Sequence, residues 1–264
     1  YTTEGALALR DVLSSFEGGR VIVGVTSAPF KCPPAPSETA LLMRDFLVAR
    51  GLRDRSEISL VMPLPVPIPP SPAASEALLS AFAERQIGWY PSQVIRELDP
   101  ASHVARIADG TEMPYDLFLG VPVHHVPAVV AESGMTVDGW IPVNPLTLET
   151  SFPGVFAVGD VTSVGTPKAG VFSERQAAAA ADRIISAIRG GTGTSEYDGY
   201  GMCYLEFGHD EVARVEVRFV SGQAPTGSYD APSGMLAADK AAFGTSRIQR
   251  WFGREWPSVP EPGR

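Results

Sequence analysis

The order of strand-like and helix-like segments in the first 86 residues constrains the fold of this chain more than any other feature. A helix pattern over residues 3–16 ends at Gly18–Gly19, and residues 20–25 then contain a continuous β-branched run that favours a buried strand. A second helix follows Ser37, its predicted N-cap, and a second strand covers residues 57–62. With a further helix over residues 75–86, this order predicts an open parallel sheet with helices on both faces.

The sequence divides into three predicted units. Residues 1–112 form a Rossmann-like open-sheet domain, which includes two short strands at 93–98 and 103–108 and a hairpin turn at Asp109–Gly110. Residues 113–192 hold apolar strands at 116–121 and 155–158 and an Ala-rich helix at 172–188. Residues 193–264 form a small α+β unit with paired strands at 203–207 and 212–220 and a helix at 232–252. The predicted fold class is therefore α/β.

Composition excludes several function classes. The net charge of −9 argues against a nucleic-acid partner, which normally meets a basic surface. No apolar stretch is long enough to cross a bilayer, and the first residues do not resemble a signal peptide. A cytoplasmic location is therefore expected, with peripheral contact at a membrane left open. The four histidines lack metal-ligand spacing, so no metal site is predicted.

The most specific motif occupies positions 150–160 and reads TSFPGVFAVGD. A buried strand over residues 155–158 would deliver Gly159 and Asp160 to the carboxyl edge of a sheet, where α/β proteins bind their ligands. Glycine lets the backbone approach a ligand closely, and the carboxylate of Asp160 can accept hydrogen bonds from hydroxyl groups. A core strand followed by a Gly-Asp turn is the alternative interpretation.

This segment resembles the second FAD-binding motif of FAD-dependent oxidoreductases that contain two dinucleotide-binding domains. The resemblance implies FAD as the cofactor, with Gly159, Asp160 and Val161 at its ribityl chain. Downstream, Pro167, Lys168 and Gly170 match a P-K-x-G segment that lies against the flavin pyrimidine in these proteins. A cation or a helix N-terminus there would stabilise negative charge on a reduced ring. A solvated lysine at a helix start is the alternative for Lys168.

The two cysteines fit a narrower resemblance. The segment CPPAPSE, from Cys32 to Glu38, is similar to the first cysteine motif of the sulfide:quinone oxidoreductases and of the flavocytochrome c sulfide dehydrogenase flavoproteins, and Cys203 matches their second cysteine. This resemblance implies that both cysteines face the flavin as a redox-active disulfide, or a sulfur-bridged species, that sulfide attacks. It also implies that Glu38 accepts the sulfide proton. Two unrelated buried thiols, and a Glu38 that only complements the helix dipole, are the alternatives.

Position adds a separate argument about the thiol of Cys32. It lies just before the helix predicted to begin near Ser37, and a helix N-terminus favours the thiolate form.

The resemblance covers nearly the whole chain, yet two glycine fingerprints are absent from the sequence. The G-x-G-x-x-G segment that opens such flavoproteins is not found, so an N-terminal FAD-binding segment is expected to be missing and residues 113–192 to be the C-terminal part of the FAD-binding domain. The strand at 20–25 leads to Thr26–Ser27–Ala28–Pro29 instead of a second fingerprint. NAD(P)H is therefore not expected to be the donor.

The predicted function is oxidation of sulfide, or of another small sulfur donor, with electrons passed through the flavin to a quinone or a cytochrome. Two alternatives remain: an NAD(P)H-dependent flavin dehydrogenase, and an inactive fragment or binding module that lacks FAD. A homodimer is also left open. Aromatic residues that could line a quinone pocket or a membrane surface, against core packing as the alternative, are Tyr200, Tyr204, Trp251, Phe252 and Trp256. His124–His125 could face the cofactor from the loop after the strand at 116–121.

Overall fold

The computed structural model describes residues 2–255, and its first half contains the helices and strands expected from the sequence. The elements are α1 (Thr3–Ser15), β1 (Gly19–Val25), α2 (Ala35–Ala49), β2 (Ser56–Met62), α3 (Pro72–Glu84) and β3 (Ile87–Pro91). Helix α2 begins after Pro34 and not at Ser37, because the first helical turn tolerates proline, whose missing N–H needs no partner there. Ser37 is instead a buried residue of that turn.

A four-stranded parallel sheet organises this half, in the order β3-β2-β1-β7. Its edge strand β7 (Leu117–Val121) pairs with β1, so that Val23 lies opposite Leu119 on one side and Leu60 on the other. This strand follows the boundary predicted at 112/113 and still belongs to the same sheet as β1. The Rossmann-like α/β class is confirmed.

Helices cover one face of the parallel sheet, and a second small sheet covers the other. The small sheet is antiparallel and consists of β4 (Ile95–Asp99), β5 (Val104–Ile107) and β6 (Glu112–Pro114). Ile22 of β1 and Val61 of β2 pack against its residues Ile95, Ala105 and Ile107. The expectation of helices on both faces is therefore wrong for this sheet. Residues 95–114 form three short strands that pair with one another in antiparallel hairpins, so their backbone hydrogen bonds are made without a helix.

The middle of the chain departs from prediction at one important place. It contains the short helix α4 (Ala128–Ala131) and the long helix α5 (Gly170–Ile188), but residues 155–158 do not form a regular strand. Phe156 makes a single antiparallel bridge with Glu149, and Ala157 N–H donates to Leu148 O at 3.1 Å. The segment is extended, and it pairs with residues 148–150 and not with a neighbouring strand of a sheet.

The C-terminal part is an antiparallel sheet with a helix on one face. It contains β8 (Tyr200–Gly208), β9 (Glu211–Arg218), β10 (Thr226–Ser233) and α6 (Gly234–Phe252), and the sheet order is β10-β9-β8. The predicted pairing of β8 with β9 is confirmed. Pro232 lies in β10 and not in the helix, and Ser233 caps α6 by accepting a hydrogen bond from Leu236 N–H.

One continuous core joins the two sheets through α2. Leu41 and Leu47 of α2, Leu60 of β2 and Leu205 of β8 are all fully buried in it. Burial of large aliphatic side chains on both sides of α2 fixes the helix between the parallel sheet and β8. Among residues 2–255, no helix combines the length and the apolar composition that crossing a bilayer requires.

Candidate functional site

The loop after β1 closes the carboxyl end of the parallel sheet. Thr26 joins this loop to the edge strand, since its N–H and its hydroxyl both donate to Val121 O, at 3.1 and 2.8 Å. Phe30 is only 5% exposed and packs against Val25, Met62 and Val121, the last residues of three strands. An apolar cluster therefore fills the strand ends, where Rossmann-type domains place a nucleotide.

Cys32 is fixed by backbone hydrogen bonds on both sides. Its N–H donates to Lys168 O at 2.7 Å, and its carbonyl accepts from Ala35 N–H at 2.8 Å. Its φ of 51° lies in the left-handed region, which residues other than glycine adopt rarely. Lys31 also forms a parallel β-bridge with Lys168. These contacts join the cysteine loop to the segment that precedes α5.

The three residues predicted to hold the ribityl chain form one turn, Gly159–Val161. Gly159 adopts a φ of 79°, and its N–H donates to Gln176 Oε1 at 2.6 Å, while Val161 O accepts from Ile141 N–H. Asp160 Oδ2 lies 3.6 Å from Lys31 Nζ, but its buried Oδ1 has no hydrogen-bond partner among the described residues. Backbone contacts thus fix the turn and leave one buried acceptor unpaired.

Lys168 is a buried residue that holds this turn. The residue is 7% exposed, and Nζ donates to Asp160 O at 2.6 Å and to Thr162 O at 3.0 Å. Nζ also lies 3.3 Å from the centre of the Trp140 ring, within cation–π range. Burial lowers the pKa of Lys168, and the charge of Asp160 opposes that shift. The alternative of a solvated lysine is excluded; Pro167 and Gly170 flank it, and Gly170 is the exposed first residue of α5.

The two cysteines are free thiols with raised pKa values. Cys203 lies in β8 opposite Val215, on the sheet that packs against α2. The pKa of Cys32 is raised to about 11 and that of Cys203 to about 12, in both cases chiefly by burial and in part by the charge of Glu38. The expectation that the helix N-terminus favours a Cys32 thiolate is wrong for this structure, because desolvation of the charged form outweighs the helix terminus.

Glu38 lies between the two cysteine-bearing segments as a buried carboxylate. Its Oε1 accepts a hydrogen bond from Glu206 N–H at 2.9 Å and lies 3.7 Å from Lys240 Nζ, which contacts Glu206 Oε1 at 2.6 Å. Burial raises the pKa of Glu38, while the Glu206 N–H and the Lys240 ammonium act against that rise. A carboxylate with a raised pKa is suited to accept and release a proton.

An apolar cavity of about 290 Å³ opens beside Cys203. Its lining includes Pro33, Pro167, Ala169 and Phe172, and prolines of the loop between β2 and α3. Cys32 precedes Pro33 but is not itself part of the lining. Cys203 therefore lines the cavity directly, whereas Cys32 lies in the loop next to it.

Comparison of sequences finds distant relatives, although no family model matches the chain. The mitochondrial sulfide:quinone oxidoreductase of Schizosaccharomyces pombe is 25% identical over 238 residues, which is 87% of this chain and 51% of that protein. The mitochondrial sulfide:quinone oxidoreductase of Mus musculus is 23% identical over 226 residues, 83% of this chain and 50% of that protein. The chain thus spans about half the length of the curated relatives it matches.

Solved structures agree on the fold. The sulfide:quinone oxidoreductase from Aquifex aeolicus superimposes with a TM-score of 0.70 at 19% identity, over 99% of this chain and 70% of that one. The chain is therefore similar in sequence to two mitochondrial sulfide:quinone oxidoreductases and shares its fold with a bacterial one. A ferredoxin reductase from Rhodopseudomonas palustris shares the fold at lower similarity, with a TM-score of 0.57 over 97% of this chain and 64% of that one.

The turn Gly159–Val161 fits the flavin ribityl chain that the sequence motif predicts. Leaving a buried acceptor without a donor costs free energy, so the unpaired Oδ1 of Asp160 is suited to a hydroxyl donor from a ligand. A Cβ at position 159 would lie 3.1 Å from Ser173 Oγ, which explains why glycine is required beside that acceptor. These residues would hold the ribityl hydroxyls.

Five residues of this site lie outside the sequence motifs from which the site was predicted. They are Lys31, Trp140, Gln176, Glu206 and Lys240. Gln176 carries one clue, since it is a polar residue on the buried face of an Ala-rich helix and is only 2% exposed. Lys240 carries none, because helix α6 meets Glu38 only through tertiary packing.

The remaining candidates occupy different surroundings. Burial lowers the pKa of His124, with Lys31 acting in the same direction and Asp160 against it, which places His124 near this site. Tyr204 packs edge-on against Phe243 of α6, whereas Trp251 and Phe252 are 54% and 67% exposed. Trp256 lies outside the described residues. Among residues 2–255, no group of three or more His, Cys, Asp or Glu side chains could hold a metal ion.

Proposed function

We propose that this protein oxidises sulfide through the Cys32/Cys203 pair and passes the electrons through FAD to a quinone or a cytochrome. The observation that carries the proposal is the position of the buried Glu38 carboxylate, whose charge acts on both thiols although the cysteines lie far apart in sequence. The relatives in mouse and fission yeast, which are named sulfide:quinone oxidoreductases, support the choice of substrate and acceptor.

The chemistry proposed for the pair begins from its disulfide form. A hydrosulfide ion attacks one sulfur, and a new S–S bond forms while the bond between Cys32 and Cys203 breaks. The attacking sulfur is oxidised to the persulfide level, and the electron pair of the broken bond stays on the other cysteine, which leaves as a thiolate. Glu38 accepts the proton of the persulfide through a carboxylate oxygen. FAD, when bound, supplies the two-electron acceptor for the reduced sulfur pair.

Substrate sulfur reaches this pair through an apolar environment. The cavity beside Cys203 is lined by prolines, Ala169 and Phe172, so it favours a small, weakly hydrated sulfur species over a large charged one. Exclusion of water at the thiol also keeps a persulfide from side reactions. We therefore assign this cavity to the sulfur substrate and its product.

The cluster around Phe30 supports a donor other than NAD(P)H. Phe30 packs against the ends of β1, β2 and β7, and the loop from Thr26 to Pro29 lacks the glycines that let a pyrophosphate approach the backbone. The thiol loop occupies that edge instead.

The end of helix α6 exposes two aromatic side chains, Trp251 and Phe252. We propose that the protein makes peripheral contact with a membrane through them.

Anaerobic stopped-flow absorbance of the flavin in the full-length protein tests this function. Sulfide should bleach the flavin of the wild type, while Cys32→Ser and Cys203→Ser should lower the rate by at least about 100-fold, because each removes one of two sulfurs that act as a unit. Dithionite should still reduce the flavin in both variants, which shows that FAD is bound. Bleaching of either variant by sulfide at the wild-type rate, or of the wild type by NADH as fast as by sulfide, would refute the proposal.

A further inference from the structure

Three elements converge on the Glu38 carboxylate. Glu38 lies in the first turn of α2, Glu206 lies in β8, and Lys240 lies in α6. Lys240 Nζ is 2.6 Å from Glu206 Oε1 and 3.7 Å from Glu38 Oε1, and Glu206 N–H donates to that same Glu38 oxygen at 2.9 Å. The side chain of Glu38 is 16% exposed and that of Lys240 is 35% exposed, so the ammonium lies on the solvent side of the carboxylate.

The charged and titratable groups around Glu38 come from every element packed against it. Cys32 faces it from the loop before α2, Cys203 and Glu206 from β8, and Lys240 from α6. Burial raises the pKa of Glu38 and the charge of Glu206 adds to that rise, whereas Lys240 lowers it. Without Lys240, the carboxylate would face a second carboxylate in a largely buried site, and both the burial and that charge disfavour its ionised form.

We propose that Lys240 is a positioning residue that keeps Glu38 ionised beside the two cysteines, with Glu206 holding the Lys240 ammonium in place. Glu206 contributes to this arrangement through its side chain and through its backbone. Its carboxylate fixes the lysine at 2.6 Å, and its backbone N–H orients Glu38. This role rests on the proposed function, because an ionised Glu38 matters for turnover only if it accepts a proton from the sulfur substrate.

Lysine also acts on Cys32 itself. The Lys240 charge lowers the pKa of the Cys32 thiol, which burial and Glu38 raise. A single cation on α6 therefore favours the charged forms of both the base and the nearer thiol. Helix α6 would then contribute to catalysis although it contributes no group that touches the substrate.

Infrared titration of the full-length protein measures the protonation of Glu38 without turnover. The carbonyl stretch of the protonated acid is assigned by its loss in Glu38→Gln. In Lys240→Met the midpoint of this titration should rise by about one pH unit, the low end of the effect of an opposite charge at this range, because Lys240 is partly exposed. Lys240→Arg should restore the wild-type midpoint. Glu206→Gln should raise it as well, because release of the Lys240 ammonium outweighs the loss of one negative charge.

Arg250→Met is the matched control on the same helix. Arg250 contacts Glu174 and its side chain is 71% exposed, so its loss removes a cation from α6 without changing the surroundings of Glu38. A midpoint that stays at the wild-type value in both Lys240→Met and Glu206→Gln overturns the proposal. If Lys240→Met does not fold, a raised midpoint in Glu206→Gln supports the proposal, and a midpoint at or below the wild-type value overturns it.

Sulfide-driven flavin reduction, measured over the same pH range, separates this proposal from the proposed function. In Lys240→Met the acidic limb of the pH–rate profile should shift to higher pH, together with the infrared midpoint. A moved midpoint in a protein that sulfide does not reduce supports the role of Lys240 and refutes sulfide oxidation. An unchanged midpoint in a protein whose flavin is reduced by sulfide refutes the role of Lys240 and supports sulfide oxidation.

Discussion

The two thiols should make the free energy of unfolding fall as pH rises above about 8. Replacing Cys203 with serine should reduce that fall by about half. Folding raises the pKa of Cys32 from 9.0 to about 11 and that of Cys203 from 9.0 to about 12, chiefly by burial. The unfolded chain therefore ionises first as pH rises. Each thiol stabilises the fold fully below pH 9.0, and this contribution is lost progressively as pH rises toward the folded pKa.

The magnitude follows from these pKa values. Between pH 8 and pH 10 each thiol should reduce the free energy of unfolding by about 1.3 kcal/mol, because the unfolded thiol ionises over this range while the folded thiol stays mostly protonated. The wild type should lose about 2.6 kcal/mol from this source, each single serine variant about 1.3 kcal/mol, and the double variant none. Lys168 and Tyr197 also have shifted pKa values, but they are common to all four proteins and cancel in the comparison.

Urea denaturation at pH 8 and pH 10, followed by tryptophan fluorescence under strong reductant, measures these differences. Only the change between the two pH values is compared, so that any effect of serine on packing is removed. The same pH dependence in the wild type, Cys32→Ser, Cys203→Ser and the double variant would show that the thiols titrate normally. The argument that burial outweighs the helix N-terminus would then be refuted.

Two further changes test the packing around the site. Lys168→Met removes two hydrogen bonds from an ammonium to backbone carbonyls but also relieves the burial of that charge, and it should lower the free energy of unfolding in urea by about 2 kcal/mol. Gly201→Ala should cost about 1–3 kcal/mol in the same assay, because its Cβ would overlap Cε1 of the buried Phe172. Gly244→Ala, in an open part of α6, is its control and should stabilise the protein by about 0.5–1 kcal/mol; equal effects at the two glycines would contradict the overpacking argument.

Local sequence was sufficient to predict elements whose own side chains create their burial. The β-branched run of β1 and the Ala-rich pattern of α5 are both of this kind. Strand β10 could not be predicted, because its side chains are largely exposed and it is held by pairing with β9. The apolar residues 155–158 gave the opposite error, since a strand needs a partner as well as a suitable composition.

The candidate site was predictable where its residues share one motif. Gly159, Asp160 and Lys168 were predicted from the resemblance of two nearby segments to flavoprotein motifs, and the structure places the Lys168 ammonium on the backbone carbonyl of Asp160. The charge state of Cys32 was not predictable in this way, because its helix position is local while its burial depends on β8. Lys240 reaches Glu38 from 202 positions away only because α6 packs beside β8, and no local pattern encodes that contact.

The β-bridge between Lys31 and Lys168 has a consequence for how such a site can change during evolution. The bridge and the hydrogen bond from Cys32 N–H to Lys168 O are made by backbone atoms, so the distance from the thiol loop to the segment before α5 does not depend on which side chains these residues carry. Substitutions at Lys31 can therefore alter the charge next to Asp160 without moving the cysteine. Divergent sequences can in this way tune the electrostatics of one site while inheriting the same spacing.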